Sequence, residues 1–234
     1  METLEQKIAR IRRIPSLINW ARQNHARADK TRNNLQKLAD SKISISLGAV
    51  YSLCAKLAYR QITYDEAWER ALGYDGYPGK SATEILPVFN EYLTNRQIEA
   101  PSEFQGFQVP FPIGKSEDGK GTLYIPVRPT FVSIQAGRLV PVFLVGWVNS
   151  PLDVHQRRLI ASIVRRSILT QQDFLGSDAE IVSFVRRKFG KERQLGVWKA
   201  SQFPDYSDEE LLAQFARYTN ALRHVIEYLK DSAG

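Results

Sequence analysis

The stretch GYDGYPGKSAT, residues 73–83, ends its run of glycines in Gly-Lys-Ser and raises the question of nucleotide binding. A phosphate-binding loop with the pattern G-x-x-x-x-G-K-[ST] ends in the same residue types, because its lysine and hydroxyl contact the phosphates and their metal ion. Five residues separate Gly73 from Gly79 and two separate Gly76 from Gly79, where the loop has four. The spacing therefore does not predict a nucleotide site.

The residues before this stretch also argue against a phosphate-binding loop, which follows a β-strand. Residues 65–72 (DEAWERAL) begin with acids and predict a short helix that stops at Gly73. Ser81 and Glu84 have the spacing of a capping box, so a second helix is predicted to begin there. We interpret the glycines as a turn between two helices, and a bound anion at Lys80 is the alternative.

Side chains suited to acid–base or metal chemistry are sparse. The three histidines, His25, His155 and His224, have no second histidine or cysteine at metal-ligand spacing, so no metal is predicted. His155 lies near Asp153 at the start of a predicted helix, as a candidate catalytic pair or as an ordinary solvated first turn. We assign no catalytic residue, metal or cofactor and expect a protein that is not an enzyme. An enzyme that uses Asp153 and His155 is the alternative.

The cellular compartment is predicted from three features. The chain has no run of 18 apolar residues, which excludes a transmembrane helix, and its first residues are too polar for a signal peptide. The single cysteine, Cys54, lies in an apolar context (VYSLCAKLAY) and can form no internal disulfide, so we interpret it as a small buried residue rather than a nucleophile. We expect a cytoplasmic protein that does not bind membranes.

The net charge of +7 is unevenly distributed along the chain. Residues 1–42 contain ten Lys and Arg against four acids, and residues 151–200 contain ten against five. Arginines outnumber lysines twenty to twelve, and the guanidinium group suits phosphate because it pairs with two oxygens at once. The two basic segments therefore favour a polyanionic partner, DNA or RNA.

Eight arginines are the candidate nucleic-acid-binding residues. They are Arg10, Arg12, Arg13, Arg22, Arg157, Arg158, Arg165 and Arg166. A further basic helix predicted over 31–39 is either a solvated surface or an arm along a phosphate backbone. The main hypothesis is electrostatic, sequence-independent binding. The second hypothesis is an interaction or regulatory module, whose N-terminal helices dock a protein partner or a second copy of the chain.

The elements that position these residues change in type at about residue 100. The first hundred residues have helical periodicity, and the later part predicts strands, a helix over 151–169, further strands and a closing helix over 207–229. The predicted strands are 104–109, 123–127, 131–134, 139–148, 180–185 and 195–199. This order predicts an α+β or α/β fold with a mixed sheet flanked by helices. The predicted domains are a basic helical arm (1–42), a helical subdomain (43–100) and a mixed-sheet core (101–234).

Part of this element order is similar to a known fold. Residues 82–93 predict a helix, 128–132 (RPTFV) and 141–146 (PVFLVG) predict the two strands of a hairpin, and 151–158 (PLDVHQRR) begin another helix. This order resembles the core of the PD-(D/E)XK nuclease-like fold.

The resemblance implies a carboxylate near the start of the hairpin and an acidic-x-Lys triplet on the next strand, which together hold a divalent cation. Pro129 matches the family's proline, but Thr130 stands where the family has Asp, and the strand PVFLVG contains neither acid nor lysine. The resemblance therefore implies a degenerate, inactive member without a metal site. The arginines of the following helix would remain as contacts to a nucleic-acid backbone.

Overall fold

The computed structural model describes residues 2–41, 46–116, 119–147, 152–186 and 192–232. The described residues form eight α-helices and six β-strands. The helices are α1 (Leu4–Arg12), α2 (Leu17–Gln23), α3 (Ala28–Asp40), α4 (Gly48–Ala58), α5 (Tyr64–Leu72), α6 (Gly76–Asn95), α7 (Val154–Arg166) and α8 (Asp208–Asp231). The strands are β1 (Val109–Lys115), β2 (Thr122–Val127), β3 (Phe131–Gln135), β4 (Arg138–Val145), β5 (Glu180–Arg186) and β6 (Arg193–Lys199). The predicted fold class, α+β with an N-terminal helical region, is confirmed.

The larger sheet has four strands in the order β3-β4-β5-β6. β3 pairs with β4 and β5 pairs with β6 in antiparallel fashion, whereas β4 and β5 are parallel and connected through α7. β1 and β2 form a separate antiparallel pair. β4 is an internal strand, and both of its faces are buried from Val140 to Val145, as its apolar composition predicts.

Helices cover both faces of the larger sheet. Phe143 and Val145 of β4 belong to a core shared with α1, α2, α3, α7 and α8. Val142 and Leu144 point to the opposite face and pack with α4, α5 and α6. Alternate residues of a strand point to opposite faces, so one strand contributes to both cores. The helices of residues 2–41 thus share a core with the sheet, and the division into three domains stays a prediction.

The closing helix begins where its sequence predicts. The hydroxyl of Ser207 accepts a hydrogen bond from the backbone N–H of Glu210 at 3.1 Å, and the Glu210 carboxylate accepts one from the N–H of Ser207 at 2.8 Å. This reciprocal capping box satisfies two N–H groups that have no partner inside the helix. Asp153 and Gln156 form an equivalent box at the start of α7.

The structure corrects the interpretation of the Gly-Lys-Ser stretch. α6 begins at Gly76, so Ser81 lies buried inside the helix and the predicted capping box with Glu84 is wrong. Gly79 is buried, and a Cβ on it would collide with the carbonyl of Tyr74, whose carbon would be 2.9 Å away. The glycine therefore permits close packing of the chain before α6. The amides of residues 81–83 are inside the helix and are not available to an anion.

One predicted strand is also wrong. Ser102–Phe104 form a short 3-10 turn, and β1 begins only at Val109. Phe104 and Phe107 pack instead on Phe174, with ring centroids 5.6 Å and 5.3 Å from it.

A buried carboxylate joins α6 to the sheet. Glu180, the first residue of β5, is fully buried, and its oxygens accept hydrogen bonds from Arg96 Nη1 at 2.9 and 3.1 Å. The Tyr92 hydroxyl donates to the same carboxylate at 2.9 Å. Glu84, two turns earlier on α6, pairs with Arg186 and Arg193 of β5 and β6. These pairs fix the position of α6 along the sheet, because a buried charge is tolerated only beside its partner.

Candidate nucleic-acid interface

The basic helix α7 directs its arginines at the segment between β6 and α8. Arg158 donates from Nε to the Pro204 carbonyl at 3.2 Å and from Nη2 to the Asp205 carbonyl at 2.8 Å. Its guanidinium lies 3.7 Å from the centroid of the Tyr206 ring. The contact combines charge-assisted hydrogen bonds with a cation–π interaction.

Arg165 and Arg166, two turns further along α7, bind the same segment. Arg165 donates to the Phe203 carbonyl at 2.7 Å. Arg166 Nη1 donates to both carboxylate oxygens of Asp205 at 2.7 Å, and its Nε donates to Asp208 at 3.0 Å. Asp208 is in the first turn of α8, so Arg166 joins the two helices.

Arg157 completes this set, with Nε donating to the Leu152 carbonyl at 2.9 Å and the guanidinium 5.7 Å from the Trp198 ring centroid. All four predicted arginines of α7 therefore have partners within the chain. A phosphate contact would compete with these partners, so the role of α7 in nucleic-acid binding stays a prediction.

The four N-terminal candidates differ in their surroundings. Arg10 donates to the Ala39 carbonyl at 3.1 Å and pairs with Glu2. Arg12 and Arg13 are exposed at the end of α1. Arg22 is half-buried, with its guanidinium 4.5 Å from the centroid of Trp147. The eight candidates thus differ in their burial and in the partners they have within the chain, and their role in binding stays a prediction.

The exposed side of α3 has an excess of positive charge. Its two acids are already paired: Asp29 accepts hydrogen bonds from Arg27 at 2.6 and 3.0 Å, and Asp40 lies 3.8 Å from Lys7. The bond from Arg27 lowers the pKa of Asp29, which keeps that carboxylate charged and paired. Three cations of α3 remain, and they are exposed with no ion-pair partner among the described residues. They are Lys30, Arg32 and Lys37.

These three residues were not among the sequence candidates, although the helix itself was predicted to be basic. The sequence does not show which cation pairs with each of the two acids of α3, Asp29 and Asp40. Arg27 lies outside α3 and Lys7 is on α1, so the composition of the helix alone does not show which charges stay unbalanced.

Asp153 and His155 have different partners and are not hydrogen-bonded to each other among the described residues. Asp153 Oδ2 is 3.6 Å from His25 Nε2, whereas the hydrogen-bond partner of His155 is the Tyr206 hydroxyl, 2.8 Å from Nδ1. Burial lowers the pKa of His155 against the opposing effect of Asp153, and this favours the neutral ring. His155 Nε2 is buried without a hydrogen-bond partner among the described residues.

The position at which the nuclease resemblance would place a metal ion is occupied by packing and backbone contacts. Thr130 Oγ1 accepts a hydrogen bond from the Leu144 N–H at 3.2 Å, and β4 is buried and apolar around it. Within the described ranges, no group of three or more His, Cys, Asp or Glu side chains could hold a metal ion.

A cleft of about 440 Å³ lies between α6 and the edge strand β6. Arg96 and Arg193 border it, together with Gln194 and the exposed Leu195. Both arginines are already paired with carboxylates, Arg96 with Glu180 and Arg193 with Glu84. The walls of the cleft are therefore mixed polar and apolar, and each of its two arginines already has one carboxylate partner.

Comparisons with known proteins do not assign the chain to a family. No protein-family model, no curated protein and no solved structure matches it. The nuclease-like resemblance stays a prediction. Among the helices that the structure describes, none is long and apolar enough to cross a membrane.

Proposed function

We propose that the protein binds the phosphate backbone of nucleic acid through the exposed face of α3 and the adjoining end of α1. The observation that carries this proposal is the set Lys30, Arg32 and Lys37, which remains unbalanced after both acids of α3 have been paired. Arg13 is exposed at the end of α1, the helix that packs on α3 in the same core. Such cations attract polyanions because their charge is not neutralised locally.

The spacing of these cations suits contacts along a backbone. Lys30 and Lys37 lie seven positions apart on α3, which at 1.5 Å per residue places them roughly 10 Å apart along the helix axis. Arg32 also faces solvent, but it projects from the opposite flank of the exposed side of α3, roughly 160° around the helix from Lys30. Contacts from lysine and arginine to phosphate carry no sequence information, so the proposed binding is electrostatic and independent of sequence.

The salt dependence of affinity tests the proposal. Each phosphate neutralised by a cation contributes about 0.9 to the slope of log affinity against log salt concentration for duplex DNA. The triple variant Lys30→Gln, Arg32→Gln, Lys37→Gln should therefore lower the slope by roughly 2 to 3 and weaken binding at about 50 mM salt. Fluorescence anisotropy with duplex and single-stranded oligonucleotides measures both quantities.

The matched control changes the same number of charges elsewhere. Arg70→Gln, Lys115→Gln, Lys230→Gln also removes one arginine and two lysines, all of them exposed. It should leave the salt slope within about 0.5 of wild type, because long-range charge alone does not release condensed counterions. Equal losses in the two triple variants would contradict a binding face on α3. Undetectable binding by the wild-type protein at about 50 mM salt would contradict nucleic-acid binding altogether.

A further inference from the structure

The carboxyl ends of the parallel strands β4 and β5 meet at one edge of the sheet. Their register pairs Val145 with Ser183, and α7 makes the connection that returns the chain from the end of β4 to the start of β5. In open sheets with parallel strands, ligands bind outside the carboxyl ends of the strands. Gly146 and Trp147, the residues after β4, therefore lie at the edge where such sheets bind ligands.

Gly146 is the centre of a tightly fitted polar arrangement. Its N–H donates to the Tyr51 hydroxyl at 2.8 Å, and its carbonyl accepts from Arg193 Nη1 at 2.8 Å. A Cβ at this position would lie 3.0 Å from Ile85 and from Leu47 and 3.2 Å from the Tyr51 hydroxyl. The close approach of side chains from α4, α6 and β6 therefore holds this backbone in place.

Positive charge exceeds negative charge around this backbone segment. Arg193 of β6 contacts Gly146 and Arg22 of α2 lies over Trp147, while Arg186 of β5 shares the carboxylate of Glu84 with Arg193. Arg22 has no hydrogen-bond acceptor and no acidic partner within the described residues, and its guanidinium lies over Trp147. Burial lowers the pKa of Arg22, since a half-buried cation without a counter-charge is poorly solvated.

In the part of the chain that the structure describes, buried polar atoms without partners occur on Arg193, on Arg186, which shares Glu84 with it, and on Ser81 of α6. Arg193 Nη2, Arg186 Nε and the Ser81 hydroxyl are buried and have no hydrogen-bond partner among the described residues. The side chain of Arg193 is fully buried. Buried polar groups are usually satisfied, and each exception points to strain, a function, or a bound molecule.

Helix α6 connects these atoms along one face. Tyr77, Ser81 and Ile85 recur every four residues and therefore line up on one side of the helix. Tyr77 lies close enough to Arg22 to interact electrostatically with it, and Ile85 lies against Gly146. Ser81 therefore lies between the Arg22 end of this face and the Arg193 end.

We propose that the edge formed by Arg22, Ser81, Arg186 and Arg193 binds a phosphate group. Arg193 and Arg22 contact Gly146 and Trp147, Arg186 is linked to Arg193 through Glu84, and Ser81 lies on the face of α6 that packs against Gly146. Several oxygens of a tetrahedral anion can accept from donors on different elements at once, which the two coplanar oxygens of a carboxylate cannot. The bound dianion neutralises the excess charge that Glu84 leaves. The group is either inorganic phosphate or the phosphate of an ester. This site is separate from the nucleic-acid face on α3.

Binding of inorganic phosphate and of phenyl phosphate tests this proposal. Isothermal titration calorimetry and the unfolding temperature should show saturable binding of phosphate, with no such effect from chloride at matched ionic strength. An ester site should bind phenyl phosphate at least tenfold more tightly than inorganic phosphate, because its ring can lie against Tyr77 and Trp147. A site for the free ion should show the reverse preference.

Two variants separate a ligand site from a merely structural cluster. Arg22→Met keeps an apolar stem on Trp147 but removes the charge, and should weaken phosphate binding at least tenfold. Its control, Arg70→Met, makes the same change at an exposed position on α5 and should leave affinity unchanged. Ser81→Ala removes the unpartnered hydroxyl at a helical position where alanine is favoured, so it should fold normally and bind phosphate three- to tenfold more weakly.

Phosphate affinity that is no greater than that for chloride would overturn the proposal, as would equal affinities in the Arg22→Met and Arg70→Met proteins. The outcome is independent of the α3 face. Arg22→Met should leave the salt slope of DNA binding unchanged, and the α3 triple variant should still bind phosphate.

Discussion

Replacing Arg96 with methionine should lower the free energy of unfolding, because it leaves the buried carboxylate of Glu180 without its ion-pair partner. The side chain of Glu180 is 0% exposed, whereas that of Arg96 is 40% exposed. Methionine retains the apolar stem beside Tyr92 but removes the two hydrogen bonds from Nη1. The carboxylate then keeps the Tyr92 hydroxyl as its hydrogen-bond partner among the described residues.

The expected loss of stability follows from this geometry. Removing one partner of a buried ion pair costs about 3–5 kcal/mol, because the remaining charge is left without compensation. Here Tyr92 still donates and the half-exposed position of Arg96 admits water, so we expect about 2–4 kcal/mol. For a chain of 234 residues, this corresponds to a decrease in unfolding temperature of roughly 5–15 °C.

Urea unfolding followed by circular dichroism gives the free energy of unfolding. Arg70→Met is the matched control, because Arg70 is exposed on α5, and it should change stability by less than about 0.5 kcal/mol. Adding Glu180→Gln to Arg96→Met removes the buried charge, so the double variant should be more stable than Arg96→Met alone. A loss below about 1 kcal/mol for Arg96→Met, or a double variant less stable than the single, would refute this account of how α6 is held.

Three further predictions concern the segments that the structure reassigns. Arg166→Gln should destabilise the protein by about 1–3 kcal/mol and speed proteolysis near Asp205, because it breaks charge-assisted hydrogen bonds to the Asp205 carboxylate. An unchanged rate of cleavage would contradict the view that Arg166 holds the segment around Asp205 in place. Gly79→Ala should destabilise by about 1–3 kcal/mol despite the higher helix propensity of alanine, because the added Cβ collides with Tyr74; a gain in urea midpoint would contradict this packing. The lowered pKa of His155 means that the unfolded chain binds more protons, so stability is full above the ordinary histidine pKa and falls as pH decreases below it. His155→Asn should therefore reduce the difference in unfolding free energy between about pH 7.5 and about pH 5, and an unchanged difference would contradict the burial effect.

The sequence correctly predicted local structure where a short residue pattern is enough to determine it. Ser207 and Glu210 mark the start of α8 because both partners of a capping box lie within one helical turn. The apolar run of β4 correctly predicted an internal strand covered on both faces, because no polar face is present. The same spacing at Ser81 and Glu84 wrongly predicted a capping box, because Glu84 instead pairs with Arg186 and Arg193 on strands distant in sequence.

The candidate interface was harder to predict, because charge composition does not show pairing. The arginines of α7 have the residue types and spacing of a phosphate-binding helix, yet Arg158 and Arg166 contact carbonyls and carboxylates of residues 204–208. The unbalanced cations of α3 became apparent only when Asp29 and Asp40 were seen beside Arg27 and Lys7.

The sequence by itself determined the fold class, the basic character and the absence of a phosphate-binding loop, because these depend on composition, periodicity and local spacing. Only the tertiary structure decided which charges are compensated and which buried donors lack a partner. Electrostatic pairing acts through space at a few ångströms, so it depends on which distant segments meet. Arg193 and Gly146 are 47 residues apart and hydrogen-bonded. Gly79, which suggested nucleotide chemistry in the sequence, is buried where a side chain would not fit.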